Sequence, residues 1–126
     1  MTVLLTGATG TVGSALAQRL VADGRQVRAL VRDPDRAHAI VPIELELARG
    51  DVTDPQSVTN AMDGVTTVFH VAGLPEQWQP DPSVFDRVNA EGTRTVAEAA
   101  LAEGVDSFVF TSTIDVFTWP TEPGAR

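Results

Sequence analysis

The 126-residue chain contains no cysteine, no tyrosine and no lysine, and each absence excludes a chemistry. Without cysteine there is neither a disulfide framework nor a thiolate metal site, and a reducing cytoplasm is the expected compartment. Without tyrosine or lysine, a mechanism that needs a phenol or an amine cannot run on these residues alone. All the basic residues are arginines, nine against seventeen acidic residues, for a net charge of −8. That balance argues against nucleic acid or an anionic membrane as partner, because both require a basic patch. No apolar run reaches the roughly 18 residues of a spanning helix. The segment Met1–Gly7 has no basic leader and meets glycine too early for a secretory signal.

Hydrophobic residues make up 43% and charged residues 21% of the chain, enough for one packed domain over residues 1–126. Five short, almost continuous apolar runs read as strands: Val3–Thr6, Gln26–Val31, Ile43–Ala48, Thr66–Val71 and Ser107–Thr111. Such runs suit strands covered on both faces. The stretches between them carry helix punctuation. Asp33-Pro34, Asp54-Pro55 and Asp81-Pro82 combine a capping carboxylate with a proline that loses nothing at the first helical position. Asp23-Gly24, Asp63-Gly64 and Glu103-Gly104 supply the glycine that closes a helix. Val12, Leu16 and Leu20 fall on one face of the first helix; Val84, Val88, Val96 and Ala100 do so on a long fourth one. Thr118–Arg126 reads as a loop. Strand–helix alternation predicts a three-layer, doubly wound parallel sheet with right-handed crossovers.

The sharpest signal is Thr6-Gly7-Ala8-Thr9-Gly10-Thr11-Val12-Gly13, between the first strand and the first helix. That is the context a dinucleotide-binding fingerprint requires. Gly7 allows the tight turn out of the strand, Gly10 removes a Cβ where a pyrophosphate approaches, and Gly13 lets the helix pack on the sheet. Free N–H groups at the helix start then meet the anion. The plain alternative is an ordinary glycine-rich turn.

The spacing G-x-x-G-x-x-G resembles the cofactor loop of the short-chain dehydrogenase/reductase superfamily. Gly50-Asp51-Val52-Thr53-Asp54, Val68-Phe69-His70-Val71-Ala72-Gly73, Asn89-Ala90-Glu91-Gly92-Thr93 and Phe110-Thr111-Ser112-Thr113 follow in order. Together they resemble the superfamily's extended branch, the NAD(P)-dependent epimerase/dehydratase family. The resemblance implies a Rossmann-type sheet in the order 3-2-1-4-5, and a nicotinamide dinucleotide as ligand. It implies that Asp51 and the Val52 N–H contact adenine and that Val71, Ala72 and Gly73 line the adenosine side. It further implies that Asn89 is a positioning residue and that the Thr111 strand end lies beside the cofactor. Asp51 could instead begin a turn, and Ala72-Gly73 could serve close packing alone.

NAD sites usually carry an acidic residue at the end of the second strand, about 20 residues beyond the glycines. The matching residue is Val31, followed by Arg32 and, one turn on, Arg36. Guanidinium groups fork onto a 2′-phosphate, which favours NADP over NAD. Alternatively Arg32 is a solvated strand-end residue, and Asp33 either caps a helix or takes the ribose.

In the family, hydride moves between nicotinamide and a carbinol carbon with help from a tyrosine, a lysine four residues later, and a serine or threonine. Thr113 matches the hydroxyl residue and Ser112 is its neighbour; alternatively these hydroxyls satisfy turn backbone. The tyrosine, the lysine and a sixth strand are missing, so the chain reads as the C-terminally truncated, cofactor-binding part of a longer enzyme acting on a small-molecule substrate. On that reading Ser107–Thr111 becomes an exposed edge, and the fragment alone has no turnover. Family members often pair as homodimers through helices that include the fourth. A non-catalytic dinucleotide sensor is the rival reading; a flavodoxin-like phosphate or flavin binder shares the fold class. His70 and His38 are read as non-ligands. Leu74–Trp78 either touches the ligand or packs on helix ends.

Overall fold

A computed structural model describes residues 1–42, 44–74 and 78–113 of the chain. Five parallel strands form one sheet: β1 (Thr2–Thr6), β2 (Gln26–Val31), β3 (Glu46–Arg49), β4 (Val65–His70) and β5 (Ser107–Phe110). Their order is β3-β2-β1-β4-β5, as the motifs predicted. This is a Rossmann-like α/β fold, and its order reverses beside β1, where open sheets bind ligand.

Alternation along the strands divides the core into two layers. Val3, Leu5, Ala29 and Val31 face Ala17 and Leu20 of helix α1 (Thr11–Ala22) and Ala37 of the short α2 (Pro34–Ala37). Leu4, Leu30 and Val68 face the other way, onto Val58 and Ala61 of α3 (Pro55–Ala61) and Val96 and Ala100 of α5 (Gly92–Ala102). With both faces covered, side chains of either parity are apolar, which is why the strands read as continuous runs. Among the described residues no helix is long and apolar enough to cross a membrane.

The predicted helix punctuation acts locally. Asp33 Oδ1 accepts from the N–H groups of Asp35 and Arg36, and Asp54 Oδ1 from that of Gln56. Asp81 Oδ1 accepts from both the N–H and the hydroxyl of Ser83 at the start of α4 (Ser83–Phe85). Gly24, Gly64 and Gly104 take positive φ values of 72°, 71° and 69° where helices end.

Four expectations need correction. The third strand is Glu46–Arg49 rather than Ile43–Ala48: Leu45 N–H bonds back to Pro42 O, and Arg49 joins the ladder opposite Val31. Ile43 lies outside the described residues, as do Pro75–Gln77 and the predicted loop Thr118–Arg126. The fourth and fifth strands end one residue early, although Thr111 N–H still reaches His70 O at 3.1 Å. The buried face of α1 is Gly13, Ala17 and Leu20; Val12 is exposed and Leu16 half-buried, because the helix approaches the sheet on its small residues. The long fourth helix is not uniform: α4 continues through a π-helical segment, Asp86–Glu91, into α5. All four β5 residues are exposed, Phe110 at 51%, as expected of an edge strand.

Arg28, in the middle of β2, joins this sheet to α3. Its Nε donates to Glu46 Oε1 at 2.8 Å, and its Nη1 donates to the carbonyls of Ala61 and Asp63 at 2.8 and 2.7 Å. These carbonyls lie at the C-terminal end of α3, where helices leave acceptors unpaired and favour cations. Arg28→Met keeps the aliphatic stem and removes the donors. It is expected to cost on the order of 2 kcal/mol in urea unfolding; a loss under about 0.5 kcal/mol, the range of ordinary surface changes, would refute the tie.

Candidate functional site

The carboxyl ends of β1, β4 and β2 bring the motif residues together. Gly7 leaves β1 with φ +76°, and a Cβ there would lie 2.6 Å from Ala72 N and 2.8 Å from the Val71 carbonyl carbon. A Cβ on Gly13 would lie 1.9 Å from Gly7 O. The loop is thus wedged between the end of β4 and the first turn of α1, and neither position has room for a side chain. Gly10 differs. It is extended at φ −82°, and its Cβ would meet only Gly7 O, at an ordinary 3.5 Å. Packing within the protein does not call for glycine there.

Gly10 is also the N-cap of α1, and no side chain caps that helix, in contrast to the aspartates on α2 and α3. No acidic residue lies in its first turn. The first-turn N–H groups of Thr11, Val12 and Gly13 therefore face outward from a mouth suited to an anion.

Behind the loop lies a hydrogen-bond chain that motif reading did not anticipate. Thr6 Oγ1 sits 2.7 Å from His70 Nδ1, and His70 Nε2 sits 2.9 Å from Thr93 Oγ1. Thr6 Oγ1 also accepts from the N–H groups of Val71 and Ala72, both at 3.1 Å, and Thr93 Oγ1 donates to Asn89 O at 2.7 Å. Proton counting then fixes the tautomer. Thr93 has spent its one hydrogen, so His70 Nε2 carries the proton and donates to it. His70 Nδ1 is the acceptor for Thr6. Burial pushes the His70 pKa down from 6.5 to about 4, consistent with a neutral ring. The ring lies beside Phe110 at 5.9 Å and 18°, and both nitrogens are committed within the protein.

Asn89 lies in the π segment. Its Oδ1 accepts from Leu74 N–H at 2.8 Å, and its Nδ2 donates to Leu74 O at 3.4 Å. It pins the segment that leaves β4, and Oδ1 lies 3.3 Å from where a Gly73 Cβ would be. Mid-helix π segments often mark functional positions.

On the β2 side, Arg32, Arg49, Gly50, Asp51, Asp54 and Ser57 line an open cleft of about 330 Å3. Val31 is buried. Asp51 Oδ1 accepts from the Thr53 N–H and hydroxyl, so this residue does begin a turn. Val52 is buried against Gly92, whose Cβ would lie 2.8 Å from Val52 Cγ2. Asp33 serves α2 as cap. Arg36 is exposed on α2 and is not among the cleft residues; Arg49, which sequence reasoning passed over, is. Its signal was its place at the end of the third strand, hidden by the misplaced boundary. Thr111, Ser112 and Thr113 are exposed beyond β5, at the same carboxyl edge. Trp78 is largely exposed rather than packed on helix ends.

A parallel sheet in this order, with a side-chain-free anion mouth after its first strand, defines the dinucleotide-binding class of Rossmann-like domains. The chain belongs to the NAD(P)H-binding family, whose family model matches residues 7–126. It is 42% identical over 112 residues to an NAD-dependent glucose-6-phosphate dehydrogenase of Haloferax volcanii, covering 87% of this chain and 42% of that protein. It is 37% identical over 123 residues to a 3 beta-hydroxysteroid dehydrogenase/Delta 5→4-isomerase of Mycobacterium tuberculosis, covering 90% and 32%. Among solved structures it resembles the Thermus thermophilus UDP-glucose 4-epimerase in complex with NAD, with a TM-score of 0.81 and 32% identity over 90% of this chain and 38% of that one. The chain thus spans between about a third and two-fifths of the length of these relatives. Its relatives include epimerases, dehydrogenases and reductases, and a solved member of the short-chain dehydrogenase/reductase superfamily, as the motifs implied.

Proposed function

We propose that this domain, residues 1–126, holds a nicotinamide dinucleotide for an oxidoreductase or epimerase acting on a small alcohol or carbonyl compound. The reading rests above all on Gly10: its neighbours leave room for a Cβ, and the open space at this helix mouth suits an approaching pyrophosphate. The N–H groups of Thr9, Thr11, Val12 and Gly13 take the pyrophosphate. Asp51 and Val52 take the adenine, and Val71, Ala72 and Gly73 line the adenosine ribose. Asn89 positions that lining through Leu74. Nicotinamide, when bound, supplies or accepts hydride at the substrate carbon. Thr113, with Ser112 beside it and Thr111 at the strand end, orients the substrate oxygen; a proton-transferring tyrosine and its lysine would have to come from outside residues 1–126, which contain neither. A Tyr-x-x-x-Lys pair in the full protein decides for the enzyme. Its lack would favour a non-catalytic dinucleotide sensor, the reading that the absence of tyrosine and lysine here supports.

NADP is favoured over NAD, because Val31 cannot accept a bond from a ribose hydroxyl and Arg32 follows it. The relatives named with NAD carry that preference as their own. On this reading the compartment is a reducing cytoplasm, and a homodimer would pair through the fourth helix, whose α5 part leaves Leu101 exposed.

Gly10→Ala separates this reading from a plain turn. Stability is expected to stay within about 1 kcal/mol, since only an N-cap preference is lost. Binding of NADPH to the intact protein, followed by tryptophan quenching, is expected to weaken at least about tenfold as the methyl blocks the pyrophosphate. Binding as tight as in the wild type would reject the site.

A further inference from the structure

Arg32 and Arg49 reach the same cleft by different routes. Arg32 follows Val31 in the chain. Arg49 is the register partner of Val31 across the β2–β3 ladder, and Gly50 N–H closes that end on Val31 O at 2.9 Å. Neighbouring strands lie about 4.8 Å apart, so the two arginines flank one strand end from two sides. Asp51 and Asp54 line the same cleft. One oxygen of each serves its own turn: Asp51 Oδ1 serves Thr53 and Asp54 Oδ1 serves Gln56. Among the described residues neither Arg32 nor Arg49 forms an ion pair, whereas Arg19, Arg28 and Arg87 each hold a carboxylate. In a chain of net charge −8, these two exposed guanidinium groups line a cleft with two carboxylates and pair with neither among the described residues. They flank the strand end at which a dinucleotide's adenosine ribose is selected.

We propose that Arg49 is a specificity-determining residue that joins Arg32 in a two-guanidinium seat for the 2′-phosphate of NADP. The proposal rests on the dinucleotide reading above. It assigns to β3 a role that the strand-end motif alone would give to Arg32 and Arg36. A phosphomonoester carries close to two negative charges at neutral pH and several acceptor oxygens, which suits two planar donors approaching from adjacent strands. Arg36, exposed on α2 and away from the cleft lining, is left outside the seat.

The test is calorimetric titration of the intact protein and its Arg49→Gln, Arg32→Gln and Arg36→Gln variants with NADPH, NADH, 2′,5′-ADP and 5′-AMP. Arg49→Gln is expected to weaken NADPH and 2′,5′-ADP about tenfold or more, as loss of a charge-assisted contact does, with NADH and 5′-AMP within about twofold. Arg49→Lys recovers part of the loss, and the NADPH preference shrinks as salt rises. Equal weakening of all four ligands would overturn the proposal, because it would mean a distorted fold or a shared subsite. So would normal NADPH binding in Arg49→Gln alongside a loss in Arg32→Gln or Arg36→Gln, an outcome that keeps the NADP reading. A wild type that prefers NADH overturns the seat and the NADP assignment but keeps the dinucleotide site. Binding of neither dinucleotide overturns the parent reading as well.

Discussion

Gly13→Ala is expected to damage the protein far more than alanine at Gly24, Gly64 or Gly104. The new Cβ would fall 1.9 Å from Gly7 O and 2.6 Å from the Gly7 carbonyl carbon, both backbone atoms that no rotamer change can move. Relief requires α1 to lift from the loop or the loop to withdraw from β4, and the loop has little freedom. At Gly7 a Cβ would already be 2.6 Å from Ala72 N, so the backbone there touches the end of β4. Forced overpacking of this kind costs about 1–3 kcal/mol, and more where backbone must shift. The expected loss is on the order of 3 kcal/mol in urea unfolding, with dinucleotide binding reduced at least about a hundredfold because the N–H groups of α1 no longer converge. Gly24, Gly64 and Gly104 serve as controls. They have positive φ but open space around the missing Cβ, so alanine there meets only left-handed strain of about 1–2 kcal/mol and leaves binding intact. A Gly13→Ala protein as stable as the Gly24→Ala control would mean that the loop and helix do not pack as described.

The three loop glycines also show how much of the site could be read from residues. Their spacing located the loop, and the ordered motifs anticipated the sheet order that the structure has. Local punctuation was equally legible: Asp33 and Asp54 cap their helices, because capping depends on atoms a few residues apart. What escaped depends on distant neighbours. Apolar periodicity pointed to Val12, Leu16 and Leu20, but the face that meets the sheet is chosen by how closely Gly13 and Ala17 let α1 approach. The end of β3 is set by its ladder with β2, and Leu45 N–H bonds to Pro42 O instead of joining that ladder, although the composition of the run alone suits a strand. Arg49 entered the cleft only once that register was known. The π segment at Asp86–Glu91 carries no composition signal; it coincides with Asn89 holding Leu74 and Thr93 bonding back to Asn89 O. Nor could residues 64 positions apart announce the Thr6–His70 bond.

That bond makes stability depend on pH in a way one variant can isolate. With Nδ1 accepting from Thr6 and Nε2 donating to Thr93, a second ring proton would point at Thr6 Oγ1. That oxygen already receives the N–H groups of Val71 and Ala72. Protonation therefore breaks the chain, and burial opposes the charge; the folded pKa is lowered to about 4. The unfolded chain takes up its proton near the ordinary value of 6.5. A depressed histidine pKa means that the native form is fully favoured above 6.5, and that stability falls as pH drops from 6.5 toward 4. The slope approaches about 1.4 kcal/mol per unit, on the order of 3 kcal/mol in all. His70→Phe keeps a ring of similar volume against Phe110 but strands the Thr6 hydroxyl hydrogen in the core. At pH 7.5 it is expected to cost on the order of 3 kcal/mol, from the lost pairing and the unsatisfied donor. Since phenylalanine does not titrate, the gap between wild type and variant should narrow steadily below pH 6.5 and nearly close by about pH 4.5. Carboxylates titrate in both proteins and cancel in the difference. Urea unfolding of the pair at intervals of pH measures that gap, and one that stayed constant from pH 7.5 to 4.5 would mean that His70 is not held neutral between Thr6 and Thr93.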